Sequence, residues 1–372
     1  MPFGELFDWK GKSKIKSGDG SIVGKYKMFV CSDSETKRYD EFLENAESIV
    51  FGTGGKASCH YANEPFAYST DCIVAQPKSD KIYVKFYYYY FRQNNLSEIQ
   101  KTFTGSGLQH TSKKKIESIS VPLPEASEQQ RIVAKIEELF SKLDKGVEEL
   151  NKIKEQLKIY RQAVLKEAFE SYEKYDLYTL DNLMTLRNGY GKKPDDIGSF
   201  KILRISSVRP MKLNLQDYRV NRSKFDDNDI IAENDILFTR YNGSEDYVGV
   251  CAYVPKLSEA YAYPDKIIKG TPFIKNKSHS KFLQFYLNYG DARAFIRSKI
   301  KTTSGQKGIA GSDLKKVIIR LPDIQTQERC VSKIERELSV CDKIEQTVNE
   351  TLQKAESLRQ SILKQAFDGK LV

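Results

Sequence analysis

Histidine is the scarcest chemistry-bearing residue of this chain, with three copies in 372 residues, at positions 60, 110 and 279. They lie far apart, and His60 beside Cys59 has no recognised ligand spacing, so the sequence offers no metal site. The six cysteines, at 31, 59, 72, 251, 330 and 341, are scattered without paired spacing. That argues against a disulfide framework and for reduced thiols. No apolar run approaches the ~20 residues of a membrane span, and Met1-Pro2-Phe3 opens no charged-then-apolar signal segment. A cytoplasmic protein without a membrane partner is expected. Gly55-Lys56 is followed by Ala57 where a nucleotide P-loop needs Ser or Thr for magnesium, and no GxxxxG precedes it. An Asn- or Asp-Pro-Pro-aromatic methyltransferase motif and a Pro-Asp…Glu-x-Lys nuclease cluster are also missing. Nothing in the sequence supports an enzyme.

What the chain does contain is a long repeat. Leu123–Glu170 recurs without a gap at Leu321–Asp368, 198 residues on, with 18 identities in 48 positions. Among them are Gln129/Gln327, Arg131/Arg329, Lys135-Ile136-Glu137/Lys333-Ile334-Glu335 and Arg161-Gln162/Arg359-Gln360. A single period of this length implies a duplicated half-molecule rather than a solenoid. Each copy reads as one long helix. Ile136, Phe140, Leu143, Leu150, Leu157 and Val164, with Val147 and Tyr160, fall mostly three or four apart in the first. Ile334, Leu338, Cys341, Val348, Leu352 and Ile362, with Ala355, do so in the second. This is a coiled-coil seam, uninterrupted by proline after each Leu-Pro entry. About 42 residues at ~1.5 Å each make a rod of roughly 60 Å. A narrow seam on such a rod requires a partner helix, and the cheapest is the other copy, paired antiparallel. A second chain or foreign helices would serve equally well.

At this length two domains plus connecting elements are expected. The charge is distributed accordingly. Of the net +10, residues 1–122 carry +3 and 171–320 carry +9, whereas 123–170 and 321–372 carry −1 each. Basic regions between neutral helices suit an approach to nucleic acid, although many basic proteins bind none. In the first region Lys12 and Lys14 stand in a lysine-spaced turn. Ser48-Ile49-Val50-Phe51 is a predicted strand running into a loop with Thr53, Gly54, Gly55, Lys56 and Ser58, either a tight turn or a site where bare amides meet a phosphate backbone. Tyr87 to Tyr90 lie in an aromatic segment that reads as core, base stacking being the alternative. The small-residue loop with Ser106, Gln109 and His110 precedes a predicted strand, Ile116–Leu123. A matching loop with Thr303, Ser304, Gln306 and Lys307 precedes Val317–Leu321. In the second region Arg187, Lys192 and Lys193 echo the lysine turn. Asp235–Arg240 reads as a strand ending in Asn242 and Ser244, with another strand through Val248–Val250. Arg240 and Asn242 are side-chain types that reach guanine and adenine edges, or plain surface residues; Arg204 and Arg209 share that ambiguity.

Taken together these residues resemble the specificity subunit of type I restriction-modification systems. The resemblance rests on Leu123-Pro124…Gln129-Gln130-Arg131-Ile132-Val133, on Leu321-Pro322…Gln327-Glu328-Arg329-Cys330-Val331, on the Ala-Phe ending of each copy, and on the strand-plus-loop at Ile49–Ser58. It implies an α+β fold: two mixed α/β target recognition domains, 1–122 and 171–320, separated by two long helices, 123–170 and 321–372, forming an antiparallel intramolecular coiled coil. It also implies sequence-specific binding of double-stranded DNA, each domain reading half of a bipartite site. Two methyltransferase subunits docked on the helices and restriction/translocase subunits are the implied partners. S-adenosylmethionine, ATP and magnesium would then sit on those partners, and no cofactor on this chain. The first domain shows no counterpart of Tyr175–Thr179, so either a missing edge element or a mis-set start is expected. A reading in another class is a non-catalytic coiled-coil adaptor whose basic faces bind RNA or acidic protein.

Overall fold

The computed structural model describes residues 1–33, 37–303 and 305–371. They form two units, Met1–Lys152 with Val348–Val372, and Ile153–Thr347. The first is built around Ser48–Gly52, a strand buried along its whole length. Its β-branched and aromatic residues suit a two-sided interior position. It lies between Cys72–Pro77 and Cys59–Ala62, with Phe7–Trp9 completing a four-stranded antiparallel sheet. Alternate side chains go to opposite faces. Ile49 and Phe51 pack with Phe3, Phe86, Tyr87 and Phe91, while Val50 packs with Phe29, Phe66 and Tyr68 beneath a second sheet. That sheet runs in the order Lys37–Tyr39, Tyr26–Phe29, Phe66–Tyr68. Helix Val84–Arg92 covers the other face, and its Tyr87 is fully buried. The tyrosine run therefore belongs to the core.

The second unit uses the same plan. Ile236–Thr239 is central in the sheet order Cys251–Tyr253, Ile236–Thr239, Ile267–Pro272, Met184–Asn188. Ile236 and Phe238 pack toward helix Lys277–Leu287 through Phe282 and Leu283, and Leu237 toward Leu203, Tyr261 and Tyr263. The covering sheet is Tyr218–Asn221, Phe200–Leu203 and Tyr261–Ala262. A hairpin of Val208–Arg209 with Lys212–Leu213 is an addition of this unit.

The repeated segments are single helices, Ala126–Glu170 and Ile324–Phe367. Within the first unit Ile132, Val133 and Ile136 share a core with Leu363 and Ala366. Asp144 and Arg359 form an ion pair there. Within the second unit Val164, Leu165, Ala168 and Phe169 share a core with Cys330, Val331 and Ile334, and Arg161 binds Asp342 at 2.7 Å and Glu345 at 2.9 Å. Within the first unit 144 pairs with 359 while 132–136 share the core of 363–366, and within the second 161 pairs with 342 and 168 with 330, so in each unit the two segments run antiparallel within one chain. Ile136, Leu157, Val164, Ile334, Cys341, Val348 and Ile362 are buried, and Phe140, Leu143, Leu150, Leu338 and Leu352 half-buried. Tyr160, expected on the seam, is instead exposed, with its hydroxyl donating to Glu337 at 3.1 Å.

Two predicted strands differ. The Ile116–Leu123 segment begins as a helical turn, Lys113–Glu117, and its remainder makes only an isolated bridge, Ser120 to Pro2. Its counterpart Ile318–Leu321 pairs over four residues with Asp176–Thr179, whereas here Met1 and Val121 exchange two bonds, at 2.9 and 2.8 Å, and the Phe3 N–H reaches the Ile119 carbonyl at 2.9 Å around a proline without an N–H. Those bonds flank one bridge and do not extend into a ladder. Val248–Val250 is likewise not a strand, because Glu245–Tyr247 coils as a 3-10 turn and Gly249 takes φ +69°. A Cβ there would stand 2.5 Å from Ile296, so only glycine suits the bend, and pairing starts at Cys251.

The repeated glutamine anchors each long helix to its unit. Gln129, fully buried, accepts the Tyr83 N–H at 2.9 Å and donates to the carbonyls of Pro124 at 2.9 Å and Lys81 at 3.1 Å. Gln327 donates to the Pro322 carbonyl at 2.7 Å and accepts the His279 Nδ1–H at 2.9 Å. Truncating Gln129 removes the side-chain partner of three backbone groups around a fully buried position, and such losses run to about 1–3 kcal/mol. Urea unfolding of Gln129→Ala should show a loss in that range, and a change below about 0.5 kcal/mol, the scatter of ordinary surface substitutions, would rule the anchor out.

Candidate nucleic-acid interface

In the first unit, hydrogen bonds join four segments that are distant in sequence. The Thr70 N–H reaches the Ile15 carbonyl at 2.8 Å, next to the exposed Lys12 and Lys14; the Thr53 N–H reaches Asp71 at 2.9 Å; Thr111 reaches Thr53 at 2.9 Å; and the Gly55 N–H reaches Gln109 at 2.9 Å. The glycine loop and the Ser106–His110 loop, expected separately, thus form one surface. Gly54 lies against His110, and a Cβ on it would meet the imidazole at 3.2 Å. Thr53, Gly54 and Gly55 are half-exposed there, and Lys56, Ser106, Gln109 and His110 are exposed. Ser58 is not on this surface. It is 1 % exposed and its hydroxyl has no hydrogen-bond partner among the described residues.

In the second unit the same two loops meet again. Tyr241–Asn242 pairs antiparallel with Gln306–Gly308, placing Asn242 opposite Lys307, and the Ile309 N–H reaches the Arg240 carbonyl at 3.0 Å. Asn242 Oδ1 accepts the Ser244 N–H at 3.1 Å, and Lys307 pairs with Glu245 at 3.1 Å. Ser304 and the side chain of Thr303 lie outside the described residues. The Arg240 guanidinium lies over the Tyr241 ring, 4.8 Å from its centre, and donates from Nη1 to the Asp265 carbonyl at 3.4 Å. It is therefore oriented by its neighbours rather than free to sweep.

Asp265 belongs to the lining of a cavity of about 630 Å³ together with Lys192, Lys193, Arg204, Arg219 and Lys266. The parallel bridge between Tyr190 and Pro264 brings its two lysine-bearing turns together. Two of these cations are matched by acids. Arg219 binds Asp196 and holds that carboxyl below the usual carboxylate range, and Arg204 approaches Asp217 at 3.8 Å. Among the described residues no ion pair joins Lys192, Lys193 or Lys266 to an acid, so their field faces solvent. Lys266 and Arg219 were missed in the sequence because they lie about 75 and 27 residues beyond Lys192. The available signal was Tyr263-Pro264-Asp265-Lys266, a turn with a terminal lysine that mirrors Tyr190-Gly191-Lys192. Arg187 lies apart, near Asp229 at 3.9 Å, and Arg209 stacks on Tyr247 at 4.8 Å instead of joining the cavity.

Comparison with known proteins places this geometry. The family model described as the type I restriction modification DNA specificity domain matches residues 1–158 and again 166–354. The chain belongs to that family. The EcoKI specificity subunit of Escherichia coli K12 is 31 % identical over 342 residues, covering 85 % of this chain and 72 % of that protein. The StySPI specificity subunit of Salmonella potsdam is 28 % identical, over 76 % of this chain and 63 % of its own length. The fold matches the HsdS subunit of Thermoanaerobacter tengcongensis at a TM-score of 0.54, with 15 % identity over 100 % of this chain and 96 % of the other. A chain solved in work on assembly and conformational transition of the type I system matches at 0.75, with 15 % identity over 100 % and 97 %. As a type I specificity subunit, the protein supplies DNA sequence recognition, and methylation and restriction are carried by other subunits.

The unpaired lysines make a quantitative statement about this specificity subunit. Each phosphate contact contributes about 0.9 to the slope of log affinity against log salt. Replacing Lys192, Lys193 and Lys266 by alanine together should flatten that slope by about 2–3, read by fluorescence anisotropy on any duplex, with the thermal unfolding temperature unchanged because all three are exposed. An unaltered slope would remove the cavity from the DNA surface.

Proposed function

We propose that each unit reads one half of a bipartite double-stranded DNA target, with 1–122 and 171–320 as the two recognition domains and 123–170 and 321–372 as the helices that space them. The observation that carries this reading is the repeated construction. Both units place a buried central strand, Ser48–Gly52 or Ile236–Thr239, directly before a loop that is hydrogen bonded to a second loop arriving from the strand-and-helix end of the domain. A strand end held in a rigid sheet, with its loop pinned by another, presents side chains in a fixed orientation, which base reading requires.

The proposed DNA-contacting set is Lys12, Lys14, Thr53, Gly54, Gly55, Lys56, Ser106, Gln109 and His110 in the first unit. In the second it is Lys192, Lys193, Arg204, Lys266, Arg240, Asn242, Ser244, Gln306 and Lys307. Lysines at the cavity would hold phosphates and set position, while the oriented Arg240 would read a base edge. Two methyltransferase subunits docked on the long helices would use S-adenosylmethionine, and restriction subunits ATP and magnesium. The complex would act in the cytoplasm.

Methylation-sensitive sequencing of cells carrying the protein with its partner subunits tests the reading. Arg240→Ala should relax one base position of one half-site, corresponding to a loss of about 1–3 kcal/mol of discrimination, and leave the other half-site unchanged. A methylated motif identical to the wild type would show that Arg240 reads no base, and relaxation in both halves would refute the division of labour between the units.

A further inference from the structure

One of the six cysteines is unlike the others. Burial pushes the thiols of Cys59 and Cys251 up, the latter to about 12, and the contact with Cys31 together with burial pushes Cys72 up as well. Cys31 is half-exposed at the end of the outer sheet of the first unit, and its sulfur accepts the N–H groups of Thr53 at 3.1 Å and Gly54 at 3.3 Å. When protonated, Cys31 donates to the Asp71 carbonyl at 2.8 Å, and the neighbouring Cys72 sulfur lies 3.7 Å from both the Ser69 hydroxyl and the Phe29 carbonyl. The Cys72 thiol and the two amides together hold Cys31 down to about 6, against the opposing effect of burial.

The backbone brings the two cysteines together. Gly52 pairs opposite Cys72 across the central sheet, and a Cβ on Gly52 would stand 3.1 Å from Cys31 Sγ and 3.2 Å from its Cα. Cys31 Sγ lies 2.8 Å from the carbonyl of Asp71, the residue before Cys72, so the two cysteines are neighbours across the sheet. The absent side chain at Gly52 leaves the room. Cys72 is 1 % exposed, so the pair consists of an accessible sulfur and a sheltered one.

We propose that Cys31 and Cys72 form a hydroperoxide-sensitive thiol pair whose oxidation releases the Thr53–Gly55 loop and weakens DNA binding by the first unit; the second half of this statement rests on the DNA-reading role assigned to that loop. The Cys31 thiolate attacks the outer oxygen of a hydroperoxide, the O–O bond breaks, and the departing alkoxide or hydroxide takes a proton, leaving a sulfenic acid. The Cys72 sulfur then attacks the Cys31 sulfur, giving up its proton, and water leaves as the S–S bond forms. Two thiols are oxidised by two electrons and one peroxide is reduced. The disulfide sulfur carries no charge and is a poor acceptor, so the amides of Thr53 and Gly54 lose the partner that holds them. Because Thr53 and Gly55 in turn hold Thr111 and Gln109, the change passes to the second loop. Loss of charge-assisted bonds of this kind corresponds to on the order of a tenfold fall in affinity.

Full-length protein is treated with hydrogen peroxide and divided three ways: non-reducing peptide mass mapping, hydrogen exchange of the peptide spanning Gly52–Ser58, and binding to a pool of randomised duplex DNA. The expected result is a Cys31–Cys72 crosslink, faster exchange in that peptide, roughly tenfold weaker binding, and reversal of all three by dithiothreitol. Cys72→Ser should stop at a sulfenic acid on Cys31, trapped by dimedone, and Cys31→Ser should be indifferent to peroxide. No crosslink, or a crosslink without faster exchange, overturns the proposal. Crosslinking and loop release in a protein whose reduced form binds no DNA would uphold the thiol pair and overturn the DNA reading instead.

Discussion

The structure depends on burying the ends of two long helices. Phe169, at the end of the first, sits edge-on to Phe282 at 5.5 Å and Tyr286 at 5.3 Å. Phe367, at the end of the second, sits in the same way against Phe86 at 5.2 Å and Tyr90 at 5.4 Å. The beginnings of the helices are equally committed, through Ile132, Val133 and Ile136 in one unit and Cys330, Val331 and Ile334 in the other. Each helix thus starts in one hydrophobic core and finishes in another. Aromatic and aliphatic burial at about 1.5–3 kcal/mol per large side chain outweighs the exposed ion pairs along the rods, each worth about 0–1 kcal/mol. The ion pairs have another use. Arg161 with Asp342 and Arg359 with Asp144 are the same two repeat positions exchanged between helices, and an exchanged pair of this kind can form only when the helices run antiparallel in the right register.

That division explains which parts were legible in the sequence. A seam recurring every three or four residues, and a repeat at a single offset, are local in the chain and survive folding unchanged, so the helices and their need of a partner helix could be read from Ile136, Phe140, Ile334 and Leu338, while the identity of that partner could not. The central strands were legible for a related reason: Ile49-Val50-Phe51 and Ile236-Leu237-Phe238 are buried on both faces and need not alternate with polar residues. The Ile116–Leu123 segment also carries Ile and Val but meets Met1–Phe3 in a single bridge, and sheet formation depends on a partner that composition does not reveal.

The functional surface was legible in pieces but not as an arrangement. Thr53 to Lys56 and Ser106 to His110 were each visible as small-residue loops, yet only the bonds from Gly55 to Gln109 and from Thr111 to Thr53 make them one surface. Lys266 escaped notice because its relation to Lys192 is created by the bridge between Tyr190 and Pro264. Ser58 misled in the opposite sense, since a small polar residue in a glycine loop suits solvent and interior alike, and here Ser58 faces inward beside Gly52. Lys307 and Asn242 lie on the predicted loops but already have protein partners in Glu245 and Ser244, so they are held in fixed positions.

The composition of the first unit affects how the protein is made. Met1–Lys152 folds with Val348–Val372, so the core containing Phe3, Phe51 and Phe86 also needs Leu363 and Ala366. A ribosome must add roughly 200 further residues before that closing helix exists, on the order of 10–40 s at about 5–20 residues per second. Ile153–Thr347 is continuous and can be finished while its elder half still waits. During that interval the apolar side chains that share a core with Leu363 and Ala366, Phe86 and Ile136 among them, lack those two neighbours.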